Sequence, residues 1–217
     1  MAAFDLEEQE QISQIKGWWE QFGTLVTGAA VAAALASVGW QGWQWYQGKQ
    51  SAEASALYGV LQKAASEKNT QKAREAAGTL LEKYNGTAYA DMAALLSAKV
   101  QAEAGDLKNA RVPLVWAATK ANDPALRELA RLRLATVMFD DKAYDEALAQ
   151  LQAPTDESLV ARFADLKGDI LLAQGKREEA RAAYKVVVTA LETATKSESA
   201  ALREIAQAKL DAVGGAQ

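Results

Sequence analysis

Cysteine and histidine are both absent from the 217-residue chain. Their absence excludes the usual Cys/His zinc sites, Ser-His-Asp and Cys-His catalytic arrangements, and a histidine that switches with pH. Proline is scarce, at three residues, and β-branched residues are sparse, whereas helix formers such as Ala, Leu, Glu, Lys, Gln and Arg are abundant. The composition therefore predicts an all-α protein without disulfide bonds.

An excess of basic residues is also lacking. The net charge is −4, and residues 1–22 account for it, because they hold five acidic residues and one lysine, Lys16. The rest of the chain is neutral overall and has no basic stripe, so we expect no nucleic acid among its partners. No Gly-rich phosphate loop is present, and nothing in the sequence points to converging carboxylates. We therefore expect no enzymatic activity, no cofactor and no metal.

Residues 21–48 contain no charged side chain. Their apolar part, 22–40, has roughly 19 residues, which at about 1.5 Å per residue matches the thickness of a bilayer core. Five of the six tryptophans flank this part, where indole rings favour the membrane interface. They are Trp18, Trp19, Trp40, Trp43 and Trp45. We therefore predict a short acidic arm (1–21) and a transmembrane helix (22–46) whose aromatic belts contact membrane lipid.

Three other interpretations of the apolar segment remain. A buried helix of a globular domain would rarely carry tryptophans at both ends. A cleaved signal peptide is favoured by the Ala34-Leu35-Ala36 sequence but disfavoured by the long acidic start, since signal peptides begin with a short basic region. An interfacial amphipathic helix would need a charged face, which is missing here. A retained single-pass anchor agrees best with the sequence.

Small residues recur four apart within the segment, at Gly28, Ala32 and Ala36. This spacing permits close helix pairing in a membrane, so a homodimer is one possible state. Positive charge does not indicate the orientation of the anchor, because each flank of the segment carries one lysine: Lys16 before it and Lys49 after it.

Beyond Lys49, three segments repeat a pattern of apolar helix, polar turn and second helix: residues 89–117, 126–151 and 160–188. The turns end in Ala110, Ala147 and Ala180, and a fainter copy ends in Ala73, with spacings of 37, 37 and 33 residues. A small residue stands 12 positions before each of the three turn alanines and a bulky one stands four after. The small residues are Ala98, Ala135 and Gly168, and the bulky ones are Leu114, Leu151 and Tyr184.

This pattern resembles the tetratricopeptide repeat, and stacking such hairpins buries a continuous core. We predict a connecting helix and degenerate first hairpin (47–88), three hairpins (89–196), and a capping helix with a frayed tail (197–217). The first hairpin is called degenerate because Leu61 and Ala77 fill its two diagnostic positions. The buried stripe of the cap is predicted at Ala201, Leu202, Ile205, Leu210 and Val213. An irregular helical bundle is the alternative.

The repeat pattern also predicts a binding groove on the first helix of each hairpin. The groove positions are Met92, Leu95, Lys99, Leu132, Thr136, Phe139, Arg162, Asp165 and Asp169. A clamp for chaperone carboxyl termini is disfavoured, because Lys99, Thr136 and Asp169 replace its asparagines. Each of these side chains is alternatively an ordinary solvated or packing residue. We expect Trp116, on a second helix, to belong to the core.

The whole layout resembles the ancillary SecYEG translocon subunit family of Gram-negative bacteria. The stretches that carry the resemblance are IKGWWEQFGTLVTGAA (15–30) and FADLKGDILLAQGKREEAR (163–181). The resemblance implies an inner-membrane protein with a cytoplasmic N-terminus and a periplasmic repeat domain. It implies Sec translocon subunits and a membrane-anchored periplasmic prolyl isomerase or chaperone as partners, and a role in assisting newly translocated proteins. A structural adaptor of another cell-envelope assembly is the alternative.

Overall fold

The computed structural model describes residues 6–192 and 197–214. Within these ranges the chain forms nine α-helices and no strand, which confirms the all-α prediction. The helices are α1 (Leu6–Ser66), α2 (Thr70–Lys83), α3 (Ala88–Glu103), α4 (Leu107–Lys120), α5 (Pro124–Asp140), α6 (Tyr144–Gln150), α7 (Glu157–Ala173), α8 (Arg177–Glu192) and α9 (Ser197–Gly214). The first five residues of the predicted arm and the predicted frayed tail beyond Gly214 lie outside the described residues.

The chain divides into two units, residues 1–50 and 51–217. The first unit is the beginning of α1, a helix of 61 residues that contains the predicted 22–46 segment without a break. From Ile12 to Lys49 only Gly23 is buried, beneath the Trp19 indole. Among the described residues, α1 is the one helix that is long and apolar enough to cross a bilayer.

The second unit is a series of helical hairpins. The last part of α1 pairs with α2 around Ala54, Leu61 and Leu80, and the pairs α3–α4, α5–α6 and α7–α8 follow. The alanine at the end of each turn is fully buried. These alanines are Ala73, Ala110, Ala147 and Ala180.

All four turns share one backbone feature, a residue with positive φ. A residue with positive φ stands five positions before each turn alanine: Lys68 (54°), Gly105 (79°), Lys142 (59°) and Gly175 (79°). Glycine adopts this left-handed conformation freely, whereas lysine is strained in it. The fainter first copy therefore has the same turn as the three recognisable ones.

The first hairpin departs from the pattern by exchanging its large and small residues. Elsewhere the small residue lies on the first helix and the bulky one on the second, as in the Ala98 and Leu114 pair. In the first hairpin Leu61 lies on the first helix and Ala77 on the second, and both are buried. The exchange keeps the volume between the helices nearly constant, which a close-packed interior requires.

The predicted buried stripe of α9 is wrong at its N-terminal end. Leu202 and Ile205 are 47% and 55% exposed, and Ala201 is exposed as well. The face that packs on α8 instead comprises Ala206, the half-buried Leu210 and Val213, together with Lys209. The physical reason is an ion pair of Lys209, described below, which fixes this rotation of the helix. The remaining members of the predicted stripe, Leu210 and Val213, do face the array.

Candidate functional site

The predicted groove residues lie on α3, α5 and α7, the first helices of three successive hairpins. They form two kinds of surface. Met92, Lys99, Thr136 and Arg162 are exposed, whereas Leu132 and Phe139 are half-buried and pack against the main hydrophobic core. Phe139 also contacts Tyr144 of α6, with 5.9 Å between the ring centroids. The apolar groove positions of α5 thus contribute mainly to packing.

Lys99 and Thr136 are brought together at a cavity of about 220 Å³ between α3 and α5. Its apolar floor includes Ala98, Ala102 and Leu114. Its rim adds charged residues that the sequence analysis missed: Arg133 and Asp140. The sequence contained a signal for both residues. Arg133 stands three positions before Thr136 and Asp140 four positions after it, so all three share one helix face. The cavity offers an apolar floor with charges of both signs at its rim.

The predicted acidic positions of α7 are already engaged by the capping helix. The ammonium group of Lys209 donates to Asp165 Oδ1 at 2.7 Å and to both carboxylate oxygens of Asp169 at 2.8 and 2.9 Å. The Tyr184 hydroxyl donates to Asp169 Oδ1 at 2.8 Å, and the same ammonium group lies 5.5 Å from the Tyr184 ring centroid. These acids therefore fasten α9 to the array.

The pKa directions agree with this arrangement. Burial lowers the pKa of Lys209, but the hydrogen bonds that its ammonium group donates to Asp165 and Asp169 outweigh burial, so the pKa lies above its ordinary value. Burial, together with the hydrogen bond to Asp169, raises the pKa of the Tyr184 hydroxyl. Lys209 is consequently charged and Tyr184 neutral at physiological pH.

Two buried carboxylates outside the predicted site residues hold the backbone of the loops between hairpins. Asp91 Oδ2 accepts the backbone N–H of Asn122 at 3.0 Å, in the loop before α5. Glu128 accepts the backbone N–H of Thr155 at 2.7 Å and that of Asp156 at 3.1 Å, in the loop before α7. Both acids stand seven positions before the small residue of their hairpin, so their recurrence in register was the available signal.

The five flanking tryptophans lie on α1 with exposed indoles: Trp18, Trp19, Trp40, Trp43 and Trp45. Trp18 contacts Phe22, and Trp43 contacts Tyr46, with ring centroids 5.7 and 6.3 Å apart. The Lys49 ammonium group lies 5.8 Å from the Trp45 ring centroid. At about 1.5 Å per residue, the 21 steps from Trp19 to Trp40 span roughly 32 Å, close to the hydrocarbon thickness of a bilayer. Trp116, the sixth tryptophan, is half-buried and packs against the core.

The helical array matches a family described as a tetratricopeptide repeat-like domain over residues 16–215. An "Ancillary SecYEG translocon subunit" of Haemophilus influenzae is 32% identical over 183 residues, which cover 84% of this chain and 89% of that protein. The chain belongs to the ancillary SecYEG translocon subunit family.

Other members of this family are similar over different lengths. The protein of the same name from Neisseria gonorrhoeae is 29% identical over 212 residues, or 97% of this chain and 99% of that protein. The one from Escherichia coli is 32% identical over 104 residues, about half of each chain. The family assignment and the tetratricopeptide-like array predicted from the sequence are thus both confirmed.

Proposed function

We propose that this chain is a membrane-anchored adaptor of the Sec translocon that assists newly translocated proteins through protein–protein binding. The observation that carries the proposal is the similarity to relatives named as SecYEG subunits, which extends over 84–97% of the chain and includes the long apolar helix in the full-length alignment. In this proposal the protein lies in the bacterial inner membrane, with the N-terminus in the cytoplasm and the hairpins in the periplasm.

The apolar part of α1 supports the anchor. Its exposed surface between the tryptophan clusters is apolar and free of charge, and such a surface is stable in hydrocarbon but not in water. In this proposal residues 1–21 form the cytoplasmic arm, 22–46 cross the membrane, 47–88 connect to the array, and 89–196 and 197–217 form the hairpins and cap.

Binding rather than catalysis suits the hairpins. The carboxylates that converge, Asp165 and Asp169, hold a lysine ammonium group of the same chain and are not poised for acid–base chemistry. The cavity at Lys99 and Thr136 instead presents an apolar floor and a charged rim to the surroundings. Sec translocon subunits are the proposed fixed partners, and a membrane-anchored periplasmic prolyl isomerase or chaperone is a further one.

Site-specific photocrosslinking in cells tests the proposal. A crosslinking amino acid at Lys99, Thr136 or Arg162 should capture translocon subunits, a periplasmic chaperone, or a secretory protein arrested during translocation. The matched control is Val112, which is 67% exposed on α4, away from the predicted groove helices. Crosslinks from the first three positions that contain no translocon subunit, chaperone or secretory chain would refute the function.

The same experiment distinguishes a second candidate function. The exposed Met92, Lys99 and Arg162 would serve equally well to hold one fixed partner in a division or wall-synthesis assembly. Capture of such a partner, with no translocon subunit in a mild-detergent purification, would favour a structural adaptor without a role in translocation.

A further inference from the structure

The second helix of one hairpin is only half as long as its counterparts. The helix α6 has 7 residues, whereas α2 and α4 have 14 each and α8 has 16. Pro154 follows closely and disfavours a helical conformation at Ala153. Compared with its neighbours, the layer of second helices therefore lacks two turns, or about 10 Å of helix.

An apolar groove of about 440 Å³ lies where those two turns are missing. It runs between α7, α8 and the loop that follows α6. Its apolar lining includes Pro154, Val160, Phe163, Ala164, Ala182 and Val186. Val186, on α8, is 47% exposed. The groove is thus an incompletely covered part of the array.

The loop beside the groove is held in place by the array itself. The Arg131 guanidinium donates to the carbonyl oxygens of Gln150 at 2.9 Å and of Gln152 at 2.9 Å. Glu128 accepts the N–H groups of Thr155 and Asp156 from the other end of the loop. Because both ends are fixed, the loop does not collapse over the apolar lining, and the groove is preformed.

The capping helix carries the complementary feature, an apolar stripe that stays exposed among the residues that the structure describes. The stripe comprises Ala201, Ile205, Ala208 and Ala212, all exposed, with the exposed Leu202 beside it. Their spacing of four, three and four residues places them on one helix face, distinct from the face of Ala206 and Val213 that packs on α8. A helix that is apolar on two faces is built to contact two surfaces.

Charge also matches between the stripe and the groove. Glu204 and Asp211, seven residues apart and both exposed, border one edge of the stripe. Lys167, which is exposed, lines the groove. Glu179, in the first turn of α8, lies there too. The acidic edge of the stripe thus finds one unlike charge in the groove, at Lys167 on α7.

We propose that the groove binds α9 of a second copy of this chain. The stripe of α9 is exposed in its own chain while its other face is fastened through Lys209, so the groove it fills belongs to another molecule. Each copy carries both surfaces, and a two-fold pair makes the contact twice and closes as a dimer. The proposal is independent of any association with the translocon.

Engineered cysteines test the contact on the full-length protein, which has no cysteine of its own. Two differently tagged copies, one with Val186→Cys and one with Ile205→Cys, are co-expressed and oxidised in membranes. In the proposed contact, Ile205 of one copy lies in the groove that Val186 of the other copy lines. A disulfide requires Cα atoms within about 7 Å, so this pair should give a mixed dimer. Both positions are exposed, which keeps the fold unaffected. The control pairs Ile205→Cys with Val112→Cys on α4 and should give no mixed dimer. Failure of the first pair, or equal yield from the control, overturns the proposal.

Charge exchange provides the second measurement. Lys167→Glu should lower the yield of the mixed dimer several-fold, because it places a carboxylate opposite Glu204 and Asp211. Adding Glu204→Lys and Asp211→Lys on the other copy should restore the yield. If the yield is insensitive to all three changes, or if light scattering of the detergent-solubilised protein finds a monomer at every concentration, the groove belongs to a different partner and the proposal is wrong.

Discussion

At the scale of single residues, the close contact between α7 and α8 depends on Gly168. A Cβ atom at this position would overlap the ring of Tyr184, which is fully buried on α8. The hairpins α3–α4 and α5–α6 have alanine in the same place, opposite a leucine, as in Ala98 and Leu114. Glycine here is thus the consequence of the larger aromatic partner and not of a turn.

We expect Gly168→Ala to destabilise the protein by about 1–3 kcal/mol, the usual penalty for overpacking a core. Combining it with Tyr184→Leu reproduces the pair found in α3 and α4 and should recover part of that loss. Gly78→Ala, where no atom lies within 4 Å of the added carbon, is the control and should be neutral or slightly stabilising. Chemical unfolding followed by circular dichroism measures all three. A fully stable Gly168→Ala protein would contradict the close contact.

Glu128 makes a pH-dependent contribution to stability. Hydrogen bonds from the Thr155 side chain and backbone hold its pKa below the ordinary value of 4.5. A depressed pKa stabilises the folded state above the ordinary value, and this stabilisation is lost as pH falls through the folded-state pKa.

Glu128→Gln should therefore lower the free energy of unfolding by about 2 kcal/mol at pH 7, a typical value for hydrogen bonds to a charged group. The difference from the parent protein should shrink as the pH falls below 4.5. Urea unfolding at several pH values measures it, with the exposed Glu82→Gln as control. A difference that stays constant with pH would show that the charge of Glu128 is not involved.

Asp91 differs from Glu128, because burial raises the pKa of Asp91. Asp91→Asn should therefore lower the free energy of unfolding at pH 7 by less than Glu128→Gln does.

At the scale of helices, α9 is attached both by apolar contacts of Ala206, Leu210 and Val213 and by the ion pair of Lys209. Its large apolar residues Leu202 and Ile205 face outward, whereas Lys209 reaches two carboxylates on α7. Ion pairs in such half-buried positions depend strongly on geometry and partners. Detachment of this helix should therefore respond to a single charge.

Lys209→Met should increase the rate of amide hydrogen exchange along α9 several-fold while leaving α3 and α4 unchanged. The reason is that the variant keeps the packing of Ala206 and Val213 but loses the ion pair and leaves Asp165 and Asp169 to repel each other. Hydrogen exchange followed by mass spectrometry resolves the helices separately. Lys185→Met, an exposed lysine on α8, is the matched control. Uniform exchange across the protein after the Lys209 change would argue against a local attachment.

The helices also show what sequence patterns can and cannot specify. The turns and the small and bulky positions follow from short-range spacing, so the hairpins of α3 to α8 are readable from the sequence. The rotation of α9 is not, because Lys209 finds its partners 40 and 44 residues earlier in the chain. The first hairpin departs from the pattern because Leu61 and Ala77 exchange the bulky and the small position, and only the burial of both side chains shows that the pair still packs. The cavity charges at Arg133 and Asp140 were missed because the transferred groove positions did not include them.

At the scale of the whole molecule, the proposed topology has a direct test. A single cysteine at Val112 should react with a membrane-impermeant maleimide added to the periplasmic side of intact cells, because this side chain is 67% exposed. A single cysteine at Gln14, in the proposed cytoplasmic arm, should react only after the inner membrane is permeabilised. The native chain gives no background because it lacks cysteine. The reverse labelling pattern would invert the topology without affecting the family assignment.

Asp91 and Glu128 hold backbone that comes later in the chain, and this has a consequence for how the array forms. Each acid lies in one hairpin and accepts a hydrogen bond from a backbone N–H group further along, 31 residues after Asp91 and 27 residues after Glu128. A chain that is synthesised from its N-terminus has therefore made each acid, and the hairpin that carries it, before the segment that the acid holds. The array then forms in one direction from its N-terminal hairpin, because each finished hairpin supplies the carboxylate that holds the start of the next one. Early release of the chain would leave an incomplete array whose last finished hairpin is already ordered.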